Sequence, residues 1–228
     1  MVKVAIFGAS GGLAECLIKD SLRQECFVDA ITRENSDSKS KLNEIKKIYR
    51  DRLDIKTVVN LYSKFNFQIE YDTLILTQSI FSPQELIKKS DDAINREIDV
   101  GFTEIIKITR NFLLKFPPKN NNLKNIAIIG STSSYSGFAK STTYCAIKHG
   151  LVGFIKALND EYVDTNYRFF LFSMGTMKTN MANNISNQDP NTFLNPNDVS
   201  KKIISSLLDK SNIFEPEVLI KRRKVKFI

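Results

Sequence analysis

The 228-residue sequence carries a single histidine, His149, and only three cysteines, Cys16, Cys26 and Cys145. One histidine without companion ligands excludes a histidine-built metal centre. An odd number of cysteines with no C-x-x-C spacing excludes a disulfide framework and fits a reducing compartment. Cys145 has no identifiable histidine partner and reads as a packed helix residue, not a nucleophile. No apolar run reaches the roughly 18–20 residues that a membrane-crossing helix needs, so a spanning helix is excluded. No cleavable leader pattern precedes the first apolar segment, and the expected location is cytoplasmic. Internal repeats are absent, and the one low-complexity patch, residues 119–122, reads as a solvated loop.

What is present describes an ordinary globular chain, with 42% apolar and 25% charged residues. Its length is near the upper end for one hydrophobic core, so a single domain over residues 1–228 is expected. The formal net charge is +8, concentrated partly in "IKRRKVKF" at 220–227. Lysine is nevertheless abundant along the whole chain, so the basicity implies no nucleic-acid partner; a phosphorylated small molecule would gain from the same field.

Seven strand-length apolar runs, at 2–7, 27–32, 57–61, 73–77, 126–130, 168–173 and 218–220, alternate with helical stretches. Parallel strands need long crossovers, which are usually helices. The predicted fold is therefore α/β, a doubly wound Rossmann-type domain with a central, mostly parallel sheet of about seven strands. Ile94, Ile98, Ile105, Ile108 and Phe112 form one stripe of a long helix ending near Phe116, and Tyr144, Ile147, Leu151, Ile155 and Leu158 form another. Asn195 followed by Pro196 reads as the N-cap and first turn of a third.

The first strand runs directly into "GASGGLAE", with Gly8, Ser10, Gly11 and Gly12 before a helix that opens at Leu13. Strand, glycine turn and helix in that order let the backbone approach a pyrophosphate and offer it unpaired helix N–H groups. The second strand ends in Thr32 and Arg33, where sites for an unphosphorylated ribose usually carry an acid. Arg33 has the planar fork that suits a ribose 2′-phosphate, which favours NADP(H) over NAD(H).

"TTYCAIKHG" places Tyr144 and Lys148 four residues apart on one helix face. An ammonium roughly 5 Å from a phenol, in an effective dielectric of about 20, favours phenolate by about 3 kcal/mol, or about two pKa units. That predicts a tyrosine able to exchange a proton near neutral pH. Ser131, at the end of the preceding strand and thirteen residues before Tyr144, is the hydroxyl expected to steady a carbonyl oxygen, with Ser133 in reserve. His149 lies about 100° around the helix from Lys148 and is left out of the reaction.

Taken in order, the G-x-x-x-G-x-A turn, Ser131, the Tyr144/Lys148 pair and "FSMGTMKT" resemble the short-chain dehydrogenase/reductase family across nearly the whole chain. The resemblance implies a Ser-Tyr-Lys oxidoreductase that reduces a ketone or aldehyde, or oxidises the alcohol, with a small-molecule substrate and a homodimer or homotetramer as its assembly. It implies that Thr179 holds the nicotinamide carboxamide, that Gly175, Thr176 and Met177 flank the ring, and that Asn60 stands near adenine. Lys148 would also hold the nicotinamide ribose. Three positions depart from the pattern. "LTQS" replaces N-N-A-G, which puts Gln78 and Ser79 on the cofactor channel. Met174 replaces a proline. Asp99 stands where an asparagine supports a water relay to the lysine; its main-chain carbonyl could serve, whereas an ionised side chain would oppose phenolate, and an ordinary polar helix residue is the plain alternative. These departures leave open a dinucleotide-binding regulatory protein without turnover, and less favourably a nucleotide-sugar epimerase or dehydratase. The polar stretch 180–196 reads as a lid over the substrate.

Overall fold

The computed structural model describes residues 1–33, 39–59, 61–118, 122–185, 187–211 and 213–223. Its strands are β1 (Lys3–Phe7), β2 (Phe27–Arg33), β3 (Leu53–Val58), β4 (Thr73–Leu76), β5 (Lys124–Ile129), β6 (Tyr167–Met174) and β7 (Glu217–Ile220). The helices are α1 (Gly12–Arg23), α2 (Lys39–Tyr49), α3 (Asp91–Ile98), α4 (Glu104–Lys115), α5 (Thr142–Glu161) and α6 (Pro196–Leu208).

All seven strands are parallel, in the order β3-β2-β1-β4-β5-β6-β7. A sheet covered on both faces needs apolar residues at consecutive positions, since neighbours point to opposite sides. Val4 and Ile6 enter a core with Leu17 and Ile18 of α1 and Ile203 and Leu207 of α6. Ala5 and Phe7 enter the opposite core with Ile105 and Phe112 of α4 and Leu151 and Ile155 of α5. In β6 the same split sends Phe170 and Phe172 one way, Phe169 and Leu171 the other.

The third strand is a correction to the sequence reading, which placed it at 57–61; it occupies Leu53–Val58. As the sheet edge it pairs only with β2, and its "LDIKTV" mixes exposed Asp54 with buried Leu53 and Val58. A half-exposed edge strand carries no continuous apolar run to find it by.

The stripe from Ile94 to Phe112 is also not one uniform helix. Residues Asp99–Thr103 form a π-turn between α3 and α4, the Glu104 N–H donating to the Asp99 carbonyl. The bulge brings Gly101 and Phe102 against α5: a Cβ on Gly101 would lie 3.2 Å from Ile147 Cγ2, and one on Gly150 would lie 3.0 Å from the Phe102 ring. The N-cap at Asn195 is as read from sequence, its side chain accepting from the Asn197 N–H at 2.9 Å.

Among the described residues no helix is long and apolar enough to cross a membrane, and no group of three or more His, Cys, Asp or Glu is placed to hold a metal.

The chain leaves β1 for β2 on one side and returns to β4 on the other, which opens a crevice at the carboxyl ends of β1 and β4. That edge is held by an apolar interior whose removal has a predictable cost. Phe112 is 1% exposed and packs edge-on to Phe67 at 5.2 Å. Phe112→Ala is expected to destabilise by about 3–5 kcal/mol, a drop of order 10 °C in Tm. Ile48→Ala, on α2 and 74% exposed, should stay within about 0.5 kcal/mol. Thermal unfolding followed by circular dichroism distinguishes the two.

Candidate active site

Gly8 follows β1 with φ +77° and donates its N–H to the Ile31 carbonyl at 3.1 Å. A Cβ there would come within 2.7 Å of Thr77 Oγ1 and 2.9 Å of the Gln78 nitrogen, so only glycine fits. Thr77 Oγ1 in turn donates to the Phe7 carbonyl at 2.8 Å, locking the ends of β1 and β4 together. Gly11 is the N-cap of α1 with no side-chain cap, which leaves that helix end open to a ligand's oxygens. Ser10, Gly11 and Gly12 are exposed on the turn, while Leu13 is buried beneath it. A Cβ on Gly12 would meet Thr179 Cγ2 at 3.1 Å, so the glycine turn and Thr179 form one cradle.

Around this cradle lie buried polar atoms without protein partners. Gln78 is 5% exposed, and neither its amide nitrogen nor its amide oxygen is hydrogen bonded; Thr32 Oγ1, fully buried at the end of β2, is likewise unpaired. Orphaned buried amides are costly, and a ligand that satisfies them recovers the cost. The cradle, the uncapped helix and these atoms together fit a dinucleotide. Arg33 is exposed at the edge of β2, beside Tyr62, whose phenol its guanidinium and main-chain N–H favour in ionised form although burial raises the phenol overall. Tyr62 is a neighbour the sequence did not point to. Its loop is fixed by Glu104, which accepts from the Ser63 N–H at 2.7 Å and Ser63 Oγ at 2.8 Å. Asn60 lies outside the described residues.

Tyr144 and Lys148 occupy successive turns of α5. The Lys148 side chain is 1% exposed, and its ammonium donates to the Ile129 carbonyl at 2.9 Å and lies 5.5 Å from the Tyr144 ring centre. Ser131 follows β5, caps the turn Thr132–Ser134 and accepts from the Ser133 N–H at 3.1 Å. Its hydroxyl and that of Ser79 both lie against the Tyr144 phenol and favour its ionised form. Ser131, and not Ser133, is therefore the loop serine at the phenol. Ser79 is a site neighbour for which the altered "LTQS" loop was the signal.

The electrostatics correct one expectation. Burial pushes the Tyr144 phenol up to about 12, outweighing Ser131 and Ser79. Burial lowers Lys148 itself to about 8. The ammonium donates to a carbonyl and lies 5.5 Å from the ring centre, and burial of the phenol prevails over the lowering predicted from spacing.

Asp99 is not brought to the phenol: its side chain is exposed and its carbonyl already accepts the π-turn bond. His149 bonds its Nδ1 to the Cys145 carbonyl at 2.8 Å and faces away. The Gly175 N–H donates to the Ile220 carbonyl at 3.0 Å, and Met177 pairs with Leu194 in a parallel bridge. Beyond it, the segment read as a lid is tied down at several points. Gln188 Oε1 accepts from Arg222 at 2.7 Å, Arg222 also reaches Thr192 Oγ1 at 3.3 Å, and Asn184 donates to the Phe81 carbonyl at 3.1 Å. Arg222 came from the basic C-terminal stretch and was not foreseen as part of the site.

Residues 3–190 match a family model described as short chain dehydrogenase. A 3-oxoacyl-[acyl-carrier-protein] reductase of Buchnera aphidicola is 29% identical over 143 residues, 61% of this chain and 55% of the relative, so the match spans about half of that protein's length. Among solved structures, ElxO with NADP bound superposes with a TM-score of 0.83 at 18% identity, over 96% of this chain and 97% of that one. A 4-hydroxyisoleucine dehydrogenase mutant complexed with NADH and succinate gives 0.82 at 21% identity, again over 96% and 97%.

The depressed lysine has a consequence for stability. A lysine whose folded pKa lies below its unfolded value binds its proton less well when folded, so it lowers stability below about pH 8, and the loss is relieved as pH rises from about 8 toward the ordinary value near 10.4. Lys148→Met should therefore raise Tm at pH 6–7, by an amount corresponding to about 1–3 kcal/mol. The advantage should shrink as pH rises past about 9. A scanning calorimetry series in pH checks both the sign and the direction of the change.

Proposed function

Because the chain belongs to the short-chain dehydrogenase family, we propose that it is an NADP(H)-dependent oxidoreductase that interconverts a ketone or aldehyde and its alcohol. The observation that carries this reading is Tyr144, a partly exposed residue whose buried phenol has Ser131 and Ser79 beside it and Lys148 5.5 Å from its ring centre. A nicotinamide dinucleotide bound at the carboxyl edge of the sheet would supply or accept the hydride.

The residues of the chain do the rest. Gly8, Ser10, Gly11 and Gly12, with the open end of α1 at Leu13, would hold the pyrophosphate. Gln78 would spend its unpaired amide on the ribose nearest the ring, and Thr179, Gly175 and Met177 would border the nicotinamide. Thr32 and Arg33 would meet the adenosine ribose, Arg33 through a 2′-phosphate. That Arg33 is exposed and not ion-paired among the described residues supports NADP(H) over NAD(H). Related structures hold NADP in one case and NADH in another.

At the acceptor, Ser131 would hydrogen bond the carbonyl oxygen while Tyr144 delivers a proton to it. Burial keeps the phenol protonated at neutral pH before a substrate binds, the state from which it would donate to a carbonyl oxygen, and the same group would accept the proton in the reverse reaction. Lys148 would lend its charge to the ribose hydroxyls and the phenol once those hydroxyls draw it up from the Ile129 carbonyl. Tyr144→Phe should lower kcat by about 10²–10⁴ with NADPH affinity unchanged, read by steady-state NADPH oxidation over a carbonyl panel and by NADPH fluorescence titration.

The exposed Asp99 and the departure of Leu76–Ser79 from the family pattern favour a second reading, a dinucleotide-binding regulatory protein. Binding of NADPH without Tyr144-dependent oxidation by any carbonyl is the outcome that would select it.

We also propose a homodimer or homotetramer. Ile106, Leu113 and Leu114 of α4 and Phe154 of α5 line a groove of about 230 Å³ between the two helices, with Leu114 62% exposed. Sedimentation at micromolar protein should give a mass at least twice that of the 26.0 kDa chain; a monomer would refute the assembly.

A further inference from the structure

The loop between β4 and α3 contains an ion pair that the reaction as described does not use. Lys89 Nζ and Glu97 Oε2 are 2.6 Å apart, with side chains only 3% and 1% exposed. The other carboxylate oxygen, Glu97 Oε1, accepts from the Ser82 N–H at 3.2 Å and from the Ser82 hydroxyl. A buried pair tolerates no loss of either partner, because the one left behind is an unpaired buried charge. Ser82 is therefore held to α3, far more tightly than a surface loop residue ordinarily is.

The residue before it is Phe81. Its ring meets that of Tyr144 edge to face, with centres 4.9 Å apart. The Gln84 N–H donates to the Lys140 carbonyl at 2.8 Å, just before α5, and Asn184 of the opposing segment donates to the Phe81 carbonyl at 3.1 Å. Ser82, Pro83, Gln84 and Asn184, the last of which donates to the Phe81 carbonyl, line an open pocket of about 400 Å³. Phe81 is thus fixed from three sides: by α3, by the start of α5 and by the far wall of the cleft.

We infer that Phe81 is the specificity-determining wall of the acceptor site, held over Tyr144 by the buried Lys89–Glu97 pair, and that it selects carbonyl compounds bearing an apolar aryl or branched alkyl group. The inference rests on the carbonyl-reduction reading above. An aromatic edge beside the phenol rewards an apolar substituent placed against it and gives no hydrogen bond to a carboxylate or hydroxyl in the same place. Phe81 touches the substrate; Glu97 and Lys89 are positioning residues acting through it.

The test compares an aryl methyl ketone with a small 2-oxo acid as acceptors at saturating NADPH. Wild type should favour the aryl ketone in kcat/KM by at least about tenfold, the worth of an apolar contact in a specificity pocket. Phe81→Ala should lose about that factor through KM, with kcat within about threefold, while Phe81→Leu keeps most of the preference. Glu97→Gln should reproduce the KM pattern of Phe81→Ala, and Glu97→Asp should restore part of it; a merely structural role would lower the folded fraction equally for both acceptors. An unchanged ratio in Phe81→Ala, or a wild type that prefers the oxo acid, overturns the inference. Should wild type oxidise NADPH with neither acceptor, the proposed function fails first, and the wall is tested without substrate. Ultraviolet titration of the Tyr144 phenol, isolated by difference against Tyr144→Phe, should then show ionisation at a lower pH in Phe81→Ala because the ring no longer covers it; no change overturns the wall as well.

Discussion

The site depends on one hydrogen bond, from the buried Lys148 ammonium to the carbonyl of Ile129 at 2.9 Å. Placing that charge where it is 1% exposed is costly: the fall from the ordinary lysine value to about 8 corresponds to about 3 kcal/mol. A cost of this size is tolerable only in a domain with a large apolar core on either side of its sheet. Ile129 is the last residue of β5, so the bond joins the first turns of α5 to the carboxyl end of a central strand. Tyr144 is carried to the same edge by the helix, and Ser131 by the loop two residues beyond the strand. Serine, tyrosine and lysine converge because a single bond fixes the helix against the strand from which the serine loop departs.

The same edge receives the cofactor cradle for a topological reason. β1 has β2 on one side and β4 on the other, so the loops leaving β1 and β4 diverge above a crevice. Gly8 and Thr77 meet at the floor of that crevice, where no side chain larger than hydrogen is accommodated. Gln78, next in the chain, is left with both ends of its buried amide unsatisfied, and the Thr32 hydroxyl at the end of β2 is unpaired as well. Structural positions in a folded domain rarely leave both ends of a buried amide unpaired. A ligand that contributed the missing partners would account for the placement of Gln78, as the proposed dinucleotide does.

Parts of this arrangement were legible in the sequence because the interactions that make them are local. Gly8 and Gly12 sit within a strand-turn-helix unit, Tyr144 and Lys148 are one helical turn apart, and Asn195 caps the residue two places on. β1, β2, β4, β5 and β6 announce themselves as apolar runs since both of their faces are covered. β3 does not, because it lies at the edge and shows water one side. Phe81 and Tyr62 were missed as site neighbours for another reason: each meets its partner across a large separation, 63 residues from Phe81 to Tyr144 and 29 from Arg33 to Tyr62. The π-turn at Asp99 could not be foreseen either, because the apolar stripe continues through it with nearly helical spacing. Its consequence is spatial, moving Gly101 and Phe102 against α5 while turning Asp99 outward.

The opposed states of Tyr144 and Lys148 follow from the same burial. Desolvation raises an acid and lowers a base, so the closer the pair is packed in the absence of ligand, the further each moves from its charged form. The attraction that spacing alone suggests operates only between charges, and here burial holds the phenol in its neutral form while the lysine keeps its charge at neutral pH. A ligand hydroxyl that reaches the lysine would supply the hydrogen-bonding partner that favours the ammonium, and the ammonium would then favour phenolate. The pair is in that sense completed by the molecule that occupies the cradle. Proton exchange at Tyr144 would then be coupled to occupancy of the site, because a polar group between the two side chains would add to the partner, the Ile129 carbonyl, that the ammonium has without it.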